Sequence, residues 1–408
     1  MKTTLAVLIG VLSLSIFTLF SFPDATSAQK RKSAAKPQAT PKPRTDSAGE
    51  PKESARTILV AAAQSNPLVL KCGAADPTFP GAKSVACDPA KQALACFRLF
   101  NEGADSGIAA DFSNWRPISG LDLKLKGACF ALPKAARIEY KYIIGERWLP
   151  DLLNPNKIED GLGGENSWFA MPDYKPTVWD KGEAAAIKTI EIKSNVFGER
   201  RNVGVYLPPL SKPAKPDSQL AELPVMYLLD GSDYATRARA AQAQKNLVKA
   251  GKVKPFIMVF VDFGDRMAEG KAGTNFAQFL ATEVVPAIDG TYSTAANRQG
   301  RAVMGASLGG VSAVWAAMKY PEVFGRVGGQ STSWWVDEER VIKKMEYLDT
   351  RFTFYFDAGT LEPLEIHRRA VDTLRKKGYV VTYQETDAGH NWTAWRDRLA
   401  DAFVALWK

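Results

Sequence analysis

Ser307 stands between Gly305 and Gly309 in the stretch RAVMGASLGGVSAVWAAMKYP, Arg301–Pro321. An apolar run leads into the serine and a helical pattern over Gly310–Met318 leads out. Such a serine sits on a sharp strand-to-helix turn at a sheet edge, and the flanking glycines let strand and helix crowd together without Cβ clashes. The start of a helix also offers free backbone N–H groups and roughly half a positive charge, which stabilise an oxyanion. Serine becomes nucleophilic at neutral pH only beside a base. The chain has two histidines. His367, in the charged amphipathic stretch EPLEIHRRAVDTLRKKG, reads as a surface residue. His390, in TDAGHNWTAWR, falls between the last strand pattern and the last helix, at the same sheet edge as Ser307. It is the expected base.

A carboxylate must orient that imidazole. Asp357 and Glu362, in DAGTLEP, both lie between Ser307 and His390, which gives the order serine, acid, histidine. Glu362 is favoured because it sits further into the loop. Asp357 is the alternative, at a strand end from which it can point into the sheet. Two backbone amides complete the chemistry. One is that of Leu308. The other is that of Gly231 or Ser232 in LLDGSDY, where Gly231 lets the chain turn close to a substrate. Asp230 reads as a turn residue without catalytic work. These parts together fit attack of a serine on an ester carbonyl, with no cofactor.

The elements that must position these residues read as an α/β domain over 176–408. PVMYLLDG (Pro224–Gly231) and PFIMVFVDF (Pro255–Phe263) are continuous apolar runs, which suit strands buried on both faces of a parallel sheet. RFTFYFDAG (Arg351–Gly359) and YVVTYQET (Tyr379–Thr386) are further strands. Helical patterns cover Ala235–Ala250, Asn275–Ile288, Leu364–Lys377 and Trp392–Trp407. This alternation predicts a mainly parallel sheet with helices around it. Residues 58–175 differ. ARIEYKYII (Ala136–Ile144), ACFAL (Ala128–Leu132) and CFRLF (Cys96–Phe100) are short strands between turn-rich segments, the pattern of a small all-β sandwich.

Ahead of these, Lys2 and an apolar run from Leu5 to Phe22 precede small residues at Thr26 and Ala28. Residues 1–28 therefore read as a secretory signal peptide cut after Ala28, which places the mature protein in the periplasm or outside the cell, with no membrane span left. Residues 29–57 read as a flexible basic linker. The linker holds eight Lys/Arg against three Asp/Glu, out of a formal charge of +9 for the chain. The rest is too mildly basic to suggest a nucleic-acid partner. Four cysteines, Cys72, Cys87, Cys96 and Cys129, suggest two disulfides in an exported chain. The expected pairs are Cys72–Cys87 and Cys96–Cys129, with two other connectivities open. No CxxC pair is present and two histidines exclude a His-rich metal centre.

Two resemblances sharpen these expectations. Asp111-Phe112-x-x-Trp115, then Tyr140-Lys141-Tyr142, then Trp148-x-x-Asp151 and Asn154-Pro155 resemble the immunoglobulin-like modules that precede the catalytic domains of some esterases and glycan-processing enzymes. Exposed tryptophans of such modules can stack on sugars; Trp115 and Trp148 are read here as packing residues. Residues 185–408 look like the bacterial enterochelin esterase group of α/β-hydrolases. The resemblance rests on YLLDG (Tyr227–Gly231), GASLGG (Gly305–Gly310), the run Gly328–Trp335, GTLE (Gly359–Glu362) and GHNWTAWR (Gly389–Arg396). It implies a tri-catecholate trilactone, or its iron–siderophore complex, as substrate. Arg266 would then meet an anionic catecholate, and Trp334, Trp335 and Trp392 would wall the catechol rings. The leading β-module matches the layout of cytoplasmic members, whereas the export signal is similar to periplasmic ones. Two rival readings remain: a carbohydrate-ester (feruloyl or acetyl) esterase, and a binding protein on the same fold.

Overall fold

Two antiparallel sheets precede the sheet that carries Ser307. The computed structural model describes residues 67–98, 106–118, 127–161, 163–209 and 222–407; the expected signal peptide and linker lie outside the described residues. The first sheet joins β1 (Leu68–Leu70), β2 (Gln92–Arg98) and β4 (Gly127–Pro133), with β2 central. The second runs β3 (Ser106–Ala110), β5 (Arg137–Ile144), β8 (Glu165–Ala170), β7 (Lys157–Glu159), and β6 (Arg147–Leu149) pairs with β5. The two sheets share one core. Phe97 of β2 lies 5.0 Å from Tyr140 of β5 and 5.6 Å from Phe169 of β8, both edge to face, the geometry that aromatic quadrupoles favour. Disulfides join Cys72 to Cys87 and Cys96 to Cys129. The second links directly opposed residues of β2 and β4.

The main sheet has eight strands: β9 (Lys188–Lys193), β10 (Arg200–Tyr206), β11 (Val225–Leu229), β12 (Ile257–Val261), β13 (Arg301–Ala306), β14 (Arg326–Gln330), β15 (Thr353–Gly359) and β16 (Val380–Thr386). Their order is β9-β10-β12-β11-β13-β14-β15-β16. The first two are antiparallel to their neighbours and the rest are parallel. Every residue of β11 and β12 is buried. Tyr227 and Leu229 face one core cluster, whereas Met226 and Leu228 face the other. Period-two alternation thus buries both faces, and each large apolar side chain contributes about 1.5–3 kcal/mol by leaving water.

Five helices matter for the site: α1 (Gly231–Thr236), α2 (Ala240–Lys249), α3 (Leu308–Lys319), α4 (Leu364–Lys376) and α5 (Trp392–Trp407). The helical pattern over Ala235–Ala250 breaks into α1 and α2, because Arg239 turns into the left-handed region at φ 50°. The segment after Asn275 winds as an α turn, a π stretch at Leu280–Val284 and a further helix to Thr291. Pro286 explains the wide turn, since its ring collides with the carbonyl four residues back in a regular helix. β14, with the sequence RVGGQ, has no apolar run to announce it. Its glycines answer to packing instead: a Cβ on Gly328 would lie 2.8 Å from Met304 Cγ. No helix among the described residues is long and apolar enough to cross a membrane.

Candidate active site

β13 ends at Ala306, α3 begins at Leu308, and Ser307 makes the turn between them at φ 55°, ψ −120°. A side-chain-bearing residue held there stores roughly 1–3 kcal/mol of backbone strain. The surroundings fix it. The Ser307 N–H donates to the Gln330 carbonyl at 2.8 Å, and the Ser307 carbonyl accepts from the N–H groups of Gly310 and Ser333, both at 3.1 Å. The glycines are dictated by close approach. A Cβ on Gly305 would overlap the Gly309 carbonyl, and one on Gly309 would lie 2.8 Å from Asp230 Oδ2.

His390, in the loop between β16 and α5, brings its Nε2 to 2.8 Å from Ser307 Oγ. Its Nδ1 lies 2.8 Å from Glu362 Oε2. The other Glu362 oxygen accepts from Ser331 Oγ at 2.6 Å and from the Gly359 N–H at 2.7 Å. Glu362 is buried. Burial alone would raise its carboxyl, but the charge and hydrogen bond of His390, with Arg398 and Ser331, overcome that and hold it down at about 2. An ionised carboxylate therefore faces one ring nitrogen and a hydroxyl faces the other. That is the arrangement for passing a proton from Ser307 to His390 while the imidazolium is stabilised. A second hydroxyl, Ser333 Oγ, lies 3.0 Å from Ser307 Oγ.

The family described as "Putative esterase" matches residues 194–406, more than half of the chain. The chain belongs to that esterase family. It is an ester hydrolase with the α/β-hydrolase fold. The chain is 25% identical over 321 residues to an "Iron(III) enterobactin esterase" of Escherichia coli, covering 72% of this chain and 77% of that one. It is 26% identical over 235 residues to an "Endo-1,4-beta-xylanase/feruloyl esterase" of Xylanibacter ruminicola, covering 54% of this chain and 31% of that one. The crystal structure of the Shigella flexneri enterobactin esterase, determined in the presence of enterobactin, superposes with TM-score 0.63 at 22% identity, over 78% of this chain and 93% of that one. This last likeness shows the fold.

In this esterase, the other expected site residues fall into two groups. Leu308 and Gly231 begin α3 and α1, so their amides have no acceptor within their own helices. Trp335 is 47% exposed, with its ring centroid 6.2 Å from that of His390. Trp392 is half-buried, edge-on to Tyr234 at 5.1 Å.

The remainder, Asp357 apart, require correction. The Ser232 N–H donates to Asp262 Oδ1 at 2.8 Å and its hydroxyl bonds the same carboxylate, so its amide is engaged elsewhere. Trp334 is 1% exposed and packs edge-on against Phe356 at 5.1 Å; it is core, with no face for a substrate. Arg266 forms two hydrogen bonds to Asp230, at 2.7 and 2.9 Å, so its guanidinium is tied to the carboxylate that backs onto Gly309. Asp357 turns into the sheet, as its strand-end position allows, and pairs with Arg398 at 3.0 Å and Tyr355 at 2.8 Å, away from His390. His367 is buried, not on the surface, with Nε2 3.9 Å from Glu362 Oε2. Trp148 is 43% exposed and does not pack inside.

Ser331, Trp395 and Arg398 were given no role by the sequence. The Trp395 Nε1–H and the Arg398 guanidinium both donate to Ser331 Oγ, at 2.9 and 3.0 Å. Ser331 passes its own proton toward Glu362. Trp395 also meets the His390 ring edge-on at 5.1 Å. The available signal was the spacing of three between Trp395 and Arg398, which puts both on one face of α5. No cluster of His, Cys, Asp or Glu suited to a metal occurs among the described residues.

Proposed function

We propose that this esterase hydrolyses a catecholate siderophore trilactone of the enterobactin type, free or iron-loaded, with Ser307, His390 and Glu362 as its triad. The observation that carries the mechanism is the unbroken line Glu362–His390–Ser307, with both links at 2.8 Å, ending on a strained elbow. Ser307 Oγ attacks the ester carbonyl while His390 Nε2 takes its proton. The amides of Leu308 and Gly231 receive the oxyanion; losing one such donor costs about 100- to 1000-fold in rate. Collapse of the tetrahedral adduct expels an alkoxide, which takes the proton from His390. Water, deprotonated by the same nitrogen, then releases the acid and restores Ser307.

The substrate class rests on breadth of likeness. The match to the enterobactin esterase of Escherichia coli spans 321 residues, more than the whole 176–408 segment, so it extends into the preceding β-rich part. The match to the feruloyl esterase spans 235. Trp335, half-exposed beside His390, offers a face to a catechol ring, with Trp392 a further contact. Feruloyl-sugar hydrolysis is the second reading, favoured by that shorter match and by the exposed ring of Trp148. We also propose an exported protein in two parts, 58–175 and 176–408. Two disulfides support an oxidising compartment.

The test is kcat/KM for the trilactone with and without iron, a feruloyl sugar and a short nitrophenyl ester, each beside Ser307→Ala. The trilactone is expected to lead by about a hundredfold or more, and the variant to lose at least about a thousandfold. A lead for the feruloyl sugar would move the substrate to the second reading. Equal inertness of both proteins on every ester would end the serine mechanism.

A further inference from the structure

The DFSNW motif of the N-terminal sheets has no part in the chemistry above, yet it reaches the histidine loop. Asp111 opens a 3-10 turn immediately after β3 and is 2% exposed. Its Oδ2 accepts from the side-chain amide of Asn391 at 3.0 Å and from the Glu139 N–H at 2.7 Å. Asn391 is the neighbour of His390. The Asn391 Oδ1 accepts from the Ala394 N–H at 2.9 Å and so caps the start of α5. One side chain therefore ties α5 to Asp111. On the other flank of His390, a Cβ on Gly389 would overlap the Asp111 carboxyl. Gly389 is glycine because that carboxyl occupies the space.

The loop is held by a second contact as well. The Ala388 carbonyl accepts from the Leu361 N–H at 3.1 Å. Leu361 packs against the core shared by the two N-terminal sheets. Residues 388–391 thus run between the Glu362 loop and Asp111. The carboxyl itself is in an unusual setting. Burial and the nearby Glu139 raise it to about 7, against the hydrogen bonds from the Glu139 N–H and Asn391. Its Oδ1 has no hydrogen-bond partner. A buried carboxyl with an unpaired oxygen is costly to fold.

We infer that Asp111 is a positioning residue for His390, so that the N-terminal β-region is a working part of the esterase site. The inference rests on His390 being the base. Its physical content is the sensitivity of proton transfer to placement: a displacement of about 1 Å costs on the order of a hundredfold in rate.

The experiment compares wild type with Asp111→Ala, Asp111→Asn and Asn391→Ser on the best ester of the panel. Near-UV circular dichroism and Tm establish folding. Asn391→Ser keeps a capping oxygen for α5 but removes the donor to Asp111. Asp111→Ala and Asn391→Ser are each expected to lower kcat by about 10- to 100-fold with KM within about twofold. Their combination is expected to cost little more than either alone, as for two ends of one contact. Asp111→Asn, which keeps an acceptor in place, is expected to recover most of the loss. Wild-type kcat in folded Asp111→Ala would overturn the inference. If Asp111→Ala does not fold, wild-type kcat in Asn391→Ser overturns it equally. A wild type that is inert and unlabelled by a serine-directed fluorophosphonate would instead overturn the reading of Ser307 and His390.

Discussion

Glu362 and Asp357 lie five positions apart and have opposite surroundings. Glu362 accepts from His390, Ser331 and Gly359. Asp357 is buried against Arg398, Tyr355 and Gln330. Glu362→Gln is therefore expected to cost kcat about 1000- to 10,000-fold, since the wrong hydrogen-bond partner favours the wrong imidazole tautomer. Asp357→Asn is expected to act mainly on stability, by leaving Arg398 buried without its charge partner. Steady-state kinetics beside denaturant melts distinguish the two. His367 gives a pH test. Burial lowers it to about 4, with Glu362 and Glu385 opposing and His390 and Arg398 assisting. The unfolded chain takes up a proton near pH 6.5 while folded His367 resists until about pH 4. Stability is thus present above pH 6.5 and is lost as pH falls through that window, by on the order of 3 kcal/mol. His367→Gln should flatten that part of the stability-against-pH curve; an unchanged slope would contradict the assignment. Ser307 and His390 were legible because each occupies a junction between a strand and a helix pattern. The burial of His367 was not, because the helix around it is densely charged and the sequence does not say which face meets Glu362.

At the scale of elements, the elbow depends on how closely β13 and α3 approach. A Cβ on Gly305 would meet backbone at Gly309, whereas one on Gly309 meets the Asp230 side chain. Backbone cannot yield as a carboxylate can. Gly305→Ala is expected to destabilise by about 3 kcal/mol or more, and Gly309→Ala by about 1–2 kcal/mol, measured by chemical denaturation. Equal costs would mean that the helix start moves freely against the strand. The same closeness explains which elements the sequence disclosed. β11, β12 and β15 are apolar runs buried on both faces. β14 lies between β13 and β15, but Gly328 and Gly329 carry no hydrophobic pattern; their small size is set by Met304, Thr332 and Phe356 across the gap. The break between α1 and α2 was hidden too, since an arginine in the left-handed region at 239 has no sequence mark.

For the molecule as a whole, the disulfides staple the part that supplies Asp111. Cys96–Cys129 crosses β2 and β4 directly, in the sheet whose Phe97 packs on Tyr140 of β5, the strand that pairs with β3 and whose Glu139 N–H donates to Asp111. Replacing both cysteines by alanine should cost about 2–5 kcal/mol, read as a lower Tm of the oxidised protein; an unchanged Tm would show that the sheets hold without it. The cysteine pairing was one of three connectivities open in the sequence, and the sheets select it; the short strands ahead of the apolar runs could be read from local patterns. The bond between Asp111 and Asn391 could not, since 280 positions separate them and no periodicity reports which loop a buried aspartate will meet. The most direct test of the whole molecule's chemistry is covalent. The intact protein is treated with a fluorophosphonate and the adduct mapped by mass spectrometry. One adduct on Ser307, absent from Ser307→Ala and slow to form in His390→Ala, is the expected result. No adduct, or an adduct on Ser333 3.0 Å away, would contradict Ser307 as the nucleophile.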